Sequence, residues 1–253
     1  MCTVLLLTRP GTAWPLLLGS NRDERLDRAF DVPAAWWPDE PGIVAWRDRL
    51  SGGSWLGINA HGVLATVVNR LDTLGPLPGK ASRGELVLRA LRKRDAASAA
   101  AVLGVLHGDA YGGFTLLLAD RDGAYSVTNA GDGIEVARLP PGHHMLTPEG
   151  CDVATAPRVA SVMADFRAAA APDPGRDDWS GWLPLLQRED ADDPHRAVTV
   201  TTDRGFGTVA CTLVAVPEAG APVLRYAAGP PTTAPFHTLT VPGFDAPASK
   251  APS

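Results

Sequence analysis

Two apolar runs near the start of the chain, Val4–Leu7 and Leu16–Gly19, limit its fold more than any other feature. Pro10-Gly11-Thr12 separates them, a spacing that suits an antiparallel hairpin. Successive side chains of a strand point to opposite faces. A half-exposed strand would alternate apolar with polar residues, and these two do not. Both faces of the hairpin must therefore be covered. Cys2 stands at the head of the first run, and the second leads into Ser20-Asn21-Arg22-Asp23-Glu24. A polar stretch at a strand end is usually a solvated loop, but the hairpin brings this one close to Cys2.

Further strands are expected at Ile43–Arg47, Ser54–Asn59, Val63–Asn69, Phe114–Ala119, Tyr125–Thr128, Ile134–Ala137, His144–Leu146, Ala197–Thr202, Val209–Val216 and Val223–Ala228. Residues 25–42 read as an irregular loop, with Trp36-Trp37 as core cover. Ser82 and Glu85 have capping-box spacing ahead of a helix over Gly84–Arg92. Other helices are expected over Ala96–Leu106, from Pro157 to about Phe166, and at Trp179–Leu186. The acidic run Glu189–Asp193 reads as an exposed loop. Most strands lie too close together for βαβ crossovers, which implies an α+β fold with largely antiparallel sheets. Two stacked sheets with helices on their outer faces, a four-layer αββα sandwich, would bury both sides of the hairpin. The expected organisation is one domain over residues 1–230 and a Pro- and Ala-rich, partly disordered tail over 231–253.

Several functions find no support in the composition. The net charge is 23 − 28 = −5, so no basic field attracts nucleic acid. No run reaches the roughly 18 apolar residues of a membrane span, and the N-terminus lacks the basic region of a signal peptide. Cys2, Cys151 and Cys211 are an odd number without metal-type pairing, which suggests reduced thiols in a cytoplasm. There is no phosphate-binding glycine loop and no Gly-x-Ser-x-Gly elbow. The six histidines lack paired helical spacing, so no metal is expected. His143-His144-Met145 offers haem-type ligands. Strand neighbours face opposite ways, however, so ordinary strand histidines are the favoured reading.

Cys2 would become the first residue if Met1 were removed. Its thiol and α-amine would then share one carbon framework, with unperturbed pKa values near ~8.5 and ~7.7–8.0. Such an amine can act as the base for its own nucleophile.

Met1-Cys2 followed by Asn21-Arg22-Asp23-Glu24 resembles the NRDE (transport and Golgi organization) family. Gly52-Gly53-Ser54-Trp55-Leu56-Gly57-Ile58-Asn59, Val68-Asn69-Arg70, Ser82-Arg83-Gly84, Thr155-Ala156-Pro157-Arg158-Val159 and Phe206-Gly207-Thr208 resemble further family segments, in the right order. The resemblance implies an N-terminal-nucleophile (Ntn) hydrolase-like fold. It implies Cys2 as nucleophile, Asp23 as partner of the Cys2 α-amine and Asn69 as oxyanion donor. Arg22 would bind a substrate carboxylate or pair with a neighbouring acid; Asn21 and Trp55 are further candidate substrate contacts. The implied activity is a cysteine amidohydrolase that cleaves a small acyl-amide or related C–N bond without a cofactor. The alternative is a non-catalytic haem- or lipid-binding trafficking protein on the same fold. Two positions depart from the family: Leu146-Thr147-Pro148 replaces Ser-Asn, and Val209-Ala210-Cys211-Thr212 replaces Arg-Ser-Ser-Thr. The expected partner is a small-molecule substrate or ligand; neither its identity nor the oligomeric state is written in the sequence.

Overall fold

The computed structural model describes residues 2–73, 75 and 77–241. In chain order its elements are strands β1 (Thr3–Thr8), β2 (Leu16–Arg25), β3 (Phe30–Ala34), β4 (Ile43–Asp48), β5 (Leu56–Asn59) and β6 (Leu64–Asn69); helices α1 (Gly84–Leu91) and α2 (Ala96–Gly104); strands β7 (Phe114–Asp120), β8 (Gly123–Asn129), β9 (Ile134–Leu139), β10 (Gly142–Thr147) and β11 (Gly150–Cys151); helices α3 (Pro157–Ala168) and α4 (Leu183–Leu186); and strands β12 (Phe206–Val216), β13 (Val223–Ala227) and β14 (His237–Thr240). They form two seven-stranded sheets, ordered β11-β10-β1-β2-β12-β13-β14 and β3-β4-β5-β6-β7-β8-β9. Every strand pairing within them is antiparallel.

The opening hairpin is covered on both faces, as its apolar runs require. Val4, Leu6, Leu16 and Leu18 face the second sheet and pack with Trp46, Ile58 and Leu117. Leu5, Leu7 and Leu17 face outward and are covered by Val159, Val162 and Phe166 of α3 and by Trp182 and Leu186. On the other side α1 and α2 cover the second sheet through Leu86, Leu91, Ala99 and Leu103. The layers are thus helix, sheet, sheet, helix. Full burial of each Leu or Val contributes roughly 1.5–3 kcal/mol, which makes the seven Leu and Val residues of the two runs a main source of the fold's stability.

Two of the matched segments are explained by a close approach. A Cβ on Gly53 would sit 2.6 Å from the carbonyl carbon of Gly84. Only because both residues lack side chains does the start of α1 touch the β4–β5 turn, where Ser54 N–H donates to Gly84 O at 3.1 Å.

Several local expectations need correction. Residues 21–24 do not form a loop: β2 continues through Arg25, and Asn21, Arg22 and Asp23 are buried. The stretch 25–42 contains β3, paired with β4, while Trp37 packs on the helical layer of the second sheet. The capping box is not formed. The Ser82 hydroxyl accepts from Gly84 N–H at 3.2 Å, while Glu85 pairs forward with Arg89. Asp95 caps α2 by accepting from Ser98 N–H. Only Leu183–Leu186 of the Trp179–Leu186 segment is helical. Residues 197–202 form no strand beyond an isolated bridge at Thr201–Gly207. Beyond residue 230, β14 extends the first sheet; residues 242–253 of the expected tail lie outside the described residues.

Candidate active site

The antiparallel register of β1 and β2 pairs Thr3 with Asn21, so the start of β1 lies beside Arg22 and Asp23. Cys2 and Arg22 point between the sheets. There they line a cavity of about 240 Å³ together with Asp23, Glu24, Trp55, Asn69 and Pro148. Cys2 is half-buried, its Sγ 3.9 Å from the Asp23 carbonyl oxygen. Burial pushes the thiol above its ordinary pKa.

Asp23 is held from below. Its Oδ1 accepts from Thr208 Oγ1 at 2.7 Å, and the Thr208 hydroxyl accepts in turn from Val200 N–H at 2.8 Å. The Arg158 guanidinium, on the first turn of α3, reaches within 3.7 Å of Asp23 Oδ2 and donates to Thr3 Oγ1 at 2.8 Å. Burial nevertheless raises the Asp23 carboxyl, against the charge of Arg158 and the Thr208 hydrogen bond. Burial also pulls the guanidinium of Arg158 down. A register shift between Thr208 and Ala210 leaves Val209 outside the ladder. Such bulges re-aim side chains near sites, and this one sets Thr208 opposite Asp23 and Ala210 opposite Arg22.

Arg22 is 6% exposed and lies with its guanidinium carbon 3.8 Å above the ring of Trp55. Trp55 stacks on Trp46 with centroids 5.0 Å apart, and Phe30 meets both rings edge-on. One guanidinium nitrogen of Arg22, Nη2, donates to Asp48 at 3.2 Å and to Glu24 at 3.5 Å. The other, Nη1, has no hydrogen-bond partner among the described residues. Asp48 is shared with Arg28 at 2.7 Å; although burial opposes it, that hydrogen bond holds the Asp48 carboxyl below the usual range. Asn69 closes β6 on the facing sheet, and its amide forms no hydrogen bond with the described residues.

Five of the six candidates thus meet at one cavity: Cys2, Arg22, Asp23, Trp55 and Asn69. Asn21 does not. Its side chain turns to the outer layer, where Nδ2 donates to Leu186 O at 2.9 Å, Val198 O at 3.0 Å and Thr199 Oγ1 at 3.2 Å. It holds the 186–199 segment against the sheet, one residue out of phase with Arg22.

Sequence reasoning found no role for Arg158 or Thr208. A signal for Arg158 existed: a cation in the first turn of a helix opposes the helix dipole, so it needed a compensating acid. Thr208 was marked only by the Phe206-Gly207-Thr208 resemblance, which assigned it no role, because the bulge that aims it is not visible in residue types.

Residues 1–221 match the family model described as Transport and Golgi organisation 2. The chain belongs to that family. The human Transport and Golgi organization protein 2 homolog is 35% identical over 112 residues, 43% of this chain and 40% of that protein. The mouse homolog is 34% identical over 112 residues, with the same shares. The match therefore spans about two fifths of these relatives' length. Among solved structures, a Caenorhabditis elegans N-acylethanolamine-hydrolyzing acid amidase ortholog superposes with TM-score 0.56 at 11% identity, covering 84% of this chain and 92% of that one. A mutant conjugated bile acid hydrolase from Clostridium perfringens gives 0.54 at 10% identity, with 95% and 92% covered. At such identities the likeness concerns the fold, which is that of the Ntn hydrolases. No described helix is long and apolar enough to cross a membrane.

Proposed function

We propose that this family member is a cysteine Ntn amidohydrolase that cleaves a small acyl-amide or related C–N bond. The observation that carries the reading is the meeting of the Cys2 thiol and the uncommitted Asn69 amide across one cavity. Hydrolytic loss of Met1 would expose the Cys2 α-amine above Asp23. The amine then takes the thiol proton as sulfur attacks the substrate carbonyl. Asn69 N–H groups stabilise the oxyanion. Collapse breaks the C–N bond, with the proton passing from the ammonium to the leaving amine. Water then cleaves the thioester, releasing the carboxylic acid and restoring the thiol. Arg22 Nη1 would hold an anionic group of the substrate, while Trp55 supplies an apolar wall.

The alternative, a non-catalytic haem- or lipid-binding trafficking protein, gains no residue-level support from the two histidines as haem ligands. His143 and His144 lie opposite Leu7 and Leu6 of β1 and so face opposite sides of the sheet. Neither lines the cavity.

The test is made on one sample. Intact mass establishes whether Met1 is absent, and a panel of activated acyl probes is then offered to the protein. Acylation confined to Cys2 and lost in Cys2→Ala supports the reading. A chain that keeps Met1 in its native host, or turnover unchanged in Cys2→Ala, overturns it.

A further inference from the structure

Away from the cavity, at the edge of the first sheet, the β10–β11 hairpin gathers three metal-ligating side chains. Leu146 pairs with Cys151, so His144, two residues before Leu146, lies on the same face as Cys151. Asp152 follows with φ +55°, and this left-handed residue swings its carboxylate back toward both. The His144 ring nitrogen, Cys151 Sγ and an Asp152 oxygen all lie within 4.8 Å of one another.

The remaining heteroatoms of two of these groups are fixed by backbone. His144 Nε2 lies 2.8 Å from the Pro140 carbonyl oxygen, which can only accept. Nε2 therefore carries its proton, and Nδ1 is directed at Asp152 Oδ2, 2.6 Å away. Asp152 Oδ1 accepts from Met145 N–H at 2.8 Å. Metal-bound histidines characteristically donate their second nitrogen to a carbonyl or carboxylate, which fixes ring and tautomer. Here that outer contact is built into the strand. The other occupant that satisfies Nδ1 and Oδ2 together is a single proton, giving an imidazolium–carboxylate pair.

We propose that His144 Nδ1, Cys151 Sγ and Asp152 Oδ2 bind a divalent cation of the zinc type, with a fourth position open to water. The donor set is one nitrogen, one sulfur and one oxygen, which suits a borderline-soft tetrahedral ion and disfavours the all-oxygen ions Mg²⁺ and Ca²⁺. Ligand-to-ligand spacings at a tetrahedral zinc are roughly 3–4 Å, given bonds of about 2.0–2.3 Å. His144 Nδ1 and Asp152 Oδ2, 2.6 Å apart without a cation, would open to that spacing as the ion enters between them. The cation would clasp the short hairpin whose turn carries Pro148 into the cavity wall. The site does not depend on the reaction proposed above.

The absence of a recognisable metal spacing in the sequence has a physical reason. His144 and Cys151 are seven positions apart and meet only through the hairpin register.

The test uses the full chain after chelator treatment, titrated with Co²⁺ as a spectroscopic stand-in and then with Zn²⁺. The expected result is a near-ultraviolet thiolate-to-cobalt band that saturates at one equivalent and is displaced by Zn²⁺. It persists in Cys2→Ser and is lost in Cys151→Ser. Asp152→Asn keeps a similar shape and weakens Zn²⁺ binding about tenfold or more, comparable to losses seen when metal-site partners are changed. At a hundredfold excess over Kd, Zn²⁺ raises Tm by roughly 5–10 °C, and Mg²⁺ does not. If Cys151→Ser fails to fold by circular dichroism, the Asp152→Asn comparison decides. No cobalt band at 100 µM protein and metal, as a nominal ~0.1 mM working concentration for a micromolar site, overturns the proposal. So does a band lost in Cys2→Ser but kept in Cys151→Ser, or Zn²⁺ affinity unchanged in Asp152→Asn.

Discussion

The Arg158 guanidinium and the Asp23 carboxylate lie 3.7 Å apart with side chains only 3% and 0% exposed. They come from α3 and β2, and their pairing ties the outer helical layer to the floor of the cavity. Removing one partner of a buried pair costs about 3–5 kcal/mol, even though Asp23 keeps its hydrogen bond from Thr208. Arg158→Met is therefore expected to destabilise by about that much, and Asp23→Asn/Arg158→Met by less than the sum of the single changes. The pH dependence has a definite sign. Burial already raises the Asp23 carboxyl in the fold. The associated stability is present below the unfolded carboxylate value of ~3.9 and is lost as pH rises through the folded one. Losing Arg158 raises that carboxyl further, so the penalty should be larger at pH 7 than at pH 4. Urea unfolding at both values checks this; an equal penalty contradicts it.

The relation between these two residues also marks the limit of what could be read from residue types. The doubly covered hairpin was legible because Val4–Leu7 and Leu16–Leu18 are apolar on consecutive positions, and that alone demanded a covering layer on each face. Cys2, Arg22 and Asn69 were legible as neighbours through the hairpin and the motif order. Asn21 was misplaced because a polar tetrapeptide was treated as one functional unit, whereas strand alternation sends Asn21 and Arg22 to opposite faces. Arg158 and Thr208 are brought to Asp23 by a helix start and a bulge that depend on tertiary packing. Ala197–Thr202 looked like a strand because it is β-branched, yet its backbone serves as acceptor and donor to Asn21, Arg188 and Thr208 instead.

Asn21 gives a prediction opposite to that for a substrate contact. Its Nδ2 serves two buried carbonyls, Leu186 O and Val198 O. Leaving a buried acceptor unsatisfied costs about 1–3 kcal/mol. Asn21→Leu should therefore lower stability by about that amount through Val198 O, since Leu186 O keeps the Thr199 hydroxyl as a donor. Acylation of Cys2 by a small activated ester, measured on the folded fraction, should remain within about twofold, less than half a kcal/mol in barrier terms. A stable variant with a large selective loss of acylation would return Asn21 to the cavity.

Asn69 should behave in the reverse way. Its amide has no described protein partner, so Asn69→Ala is expected to change stability by less than about 1 kcal/mol. If its N–H groups meet an oxyanion, the same change lowers the acylation rate about 10²–10³-fold. Thermal unfolding and single-turnover acylation, run together, separate the two effects. A stable variant with unaltered acylation removes Asn69 from the proposed reaction.

The last prediction concerns the thiol. Burial raises the Cys2 pKa, and the thiolate is the reactive species. In a chain that keeps Met1, alkylation of Cys2 should therefore climb about tenfold per pH unit from pH 7 to 9, without the levelling expected of a free thiol near ~8.5. Removal of Met1 places a titrating α-amine on the same residue, and its ammonium form favours the thiolate. The profile of the processed chain should shift to lower pH, with appreciable labelling already at pH 7. Iodoacetamide labelling followed by peptide mass spectrometry measures both chains, with Cys151 as an internal comparison because burial and Asp152 push its thiol up to about 12. Superimposable profiles for the two chains would mean that the α-amine does not couple to the thiol, and the proposed base would be lost.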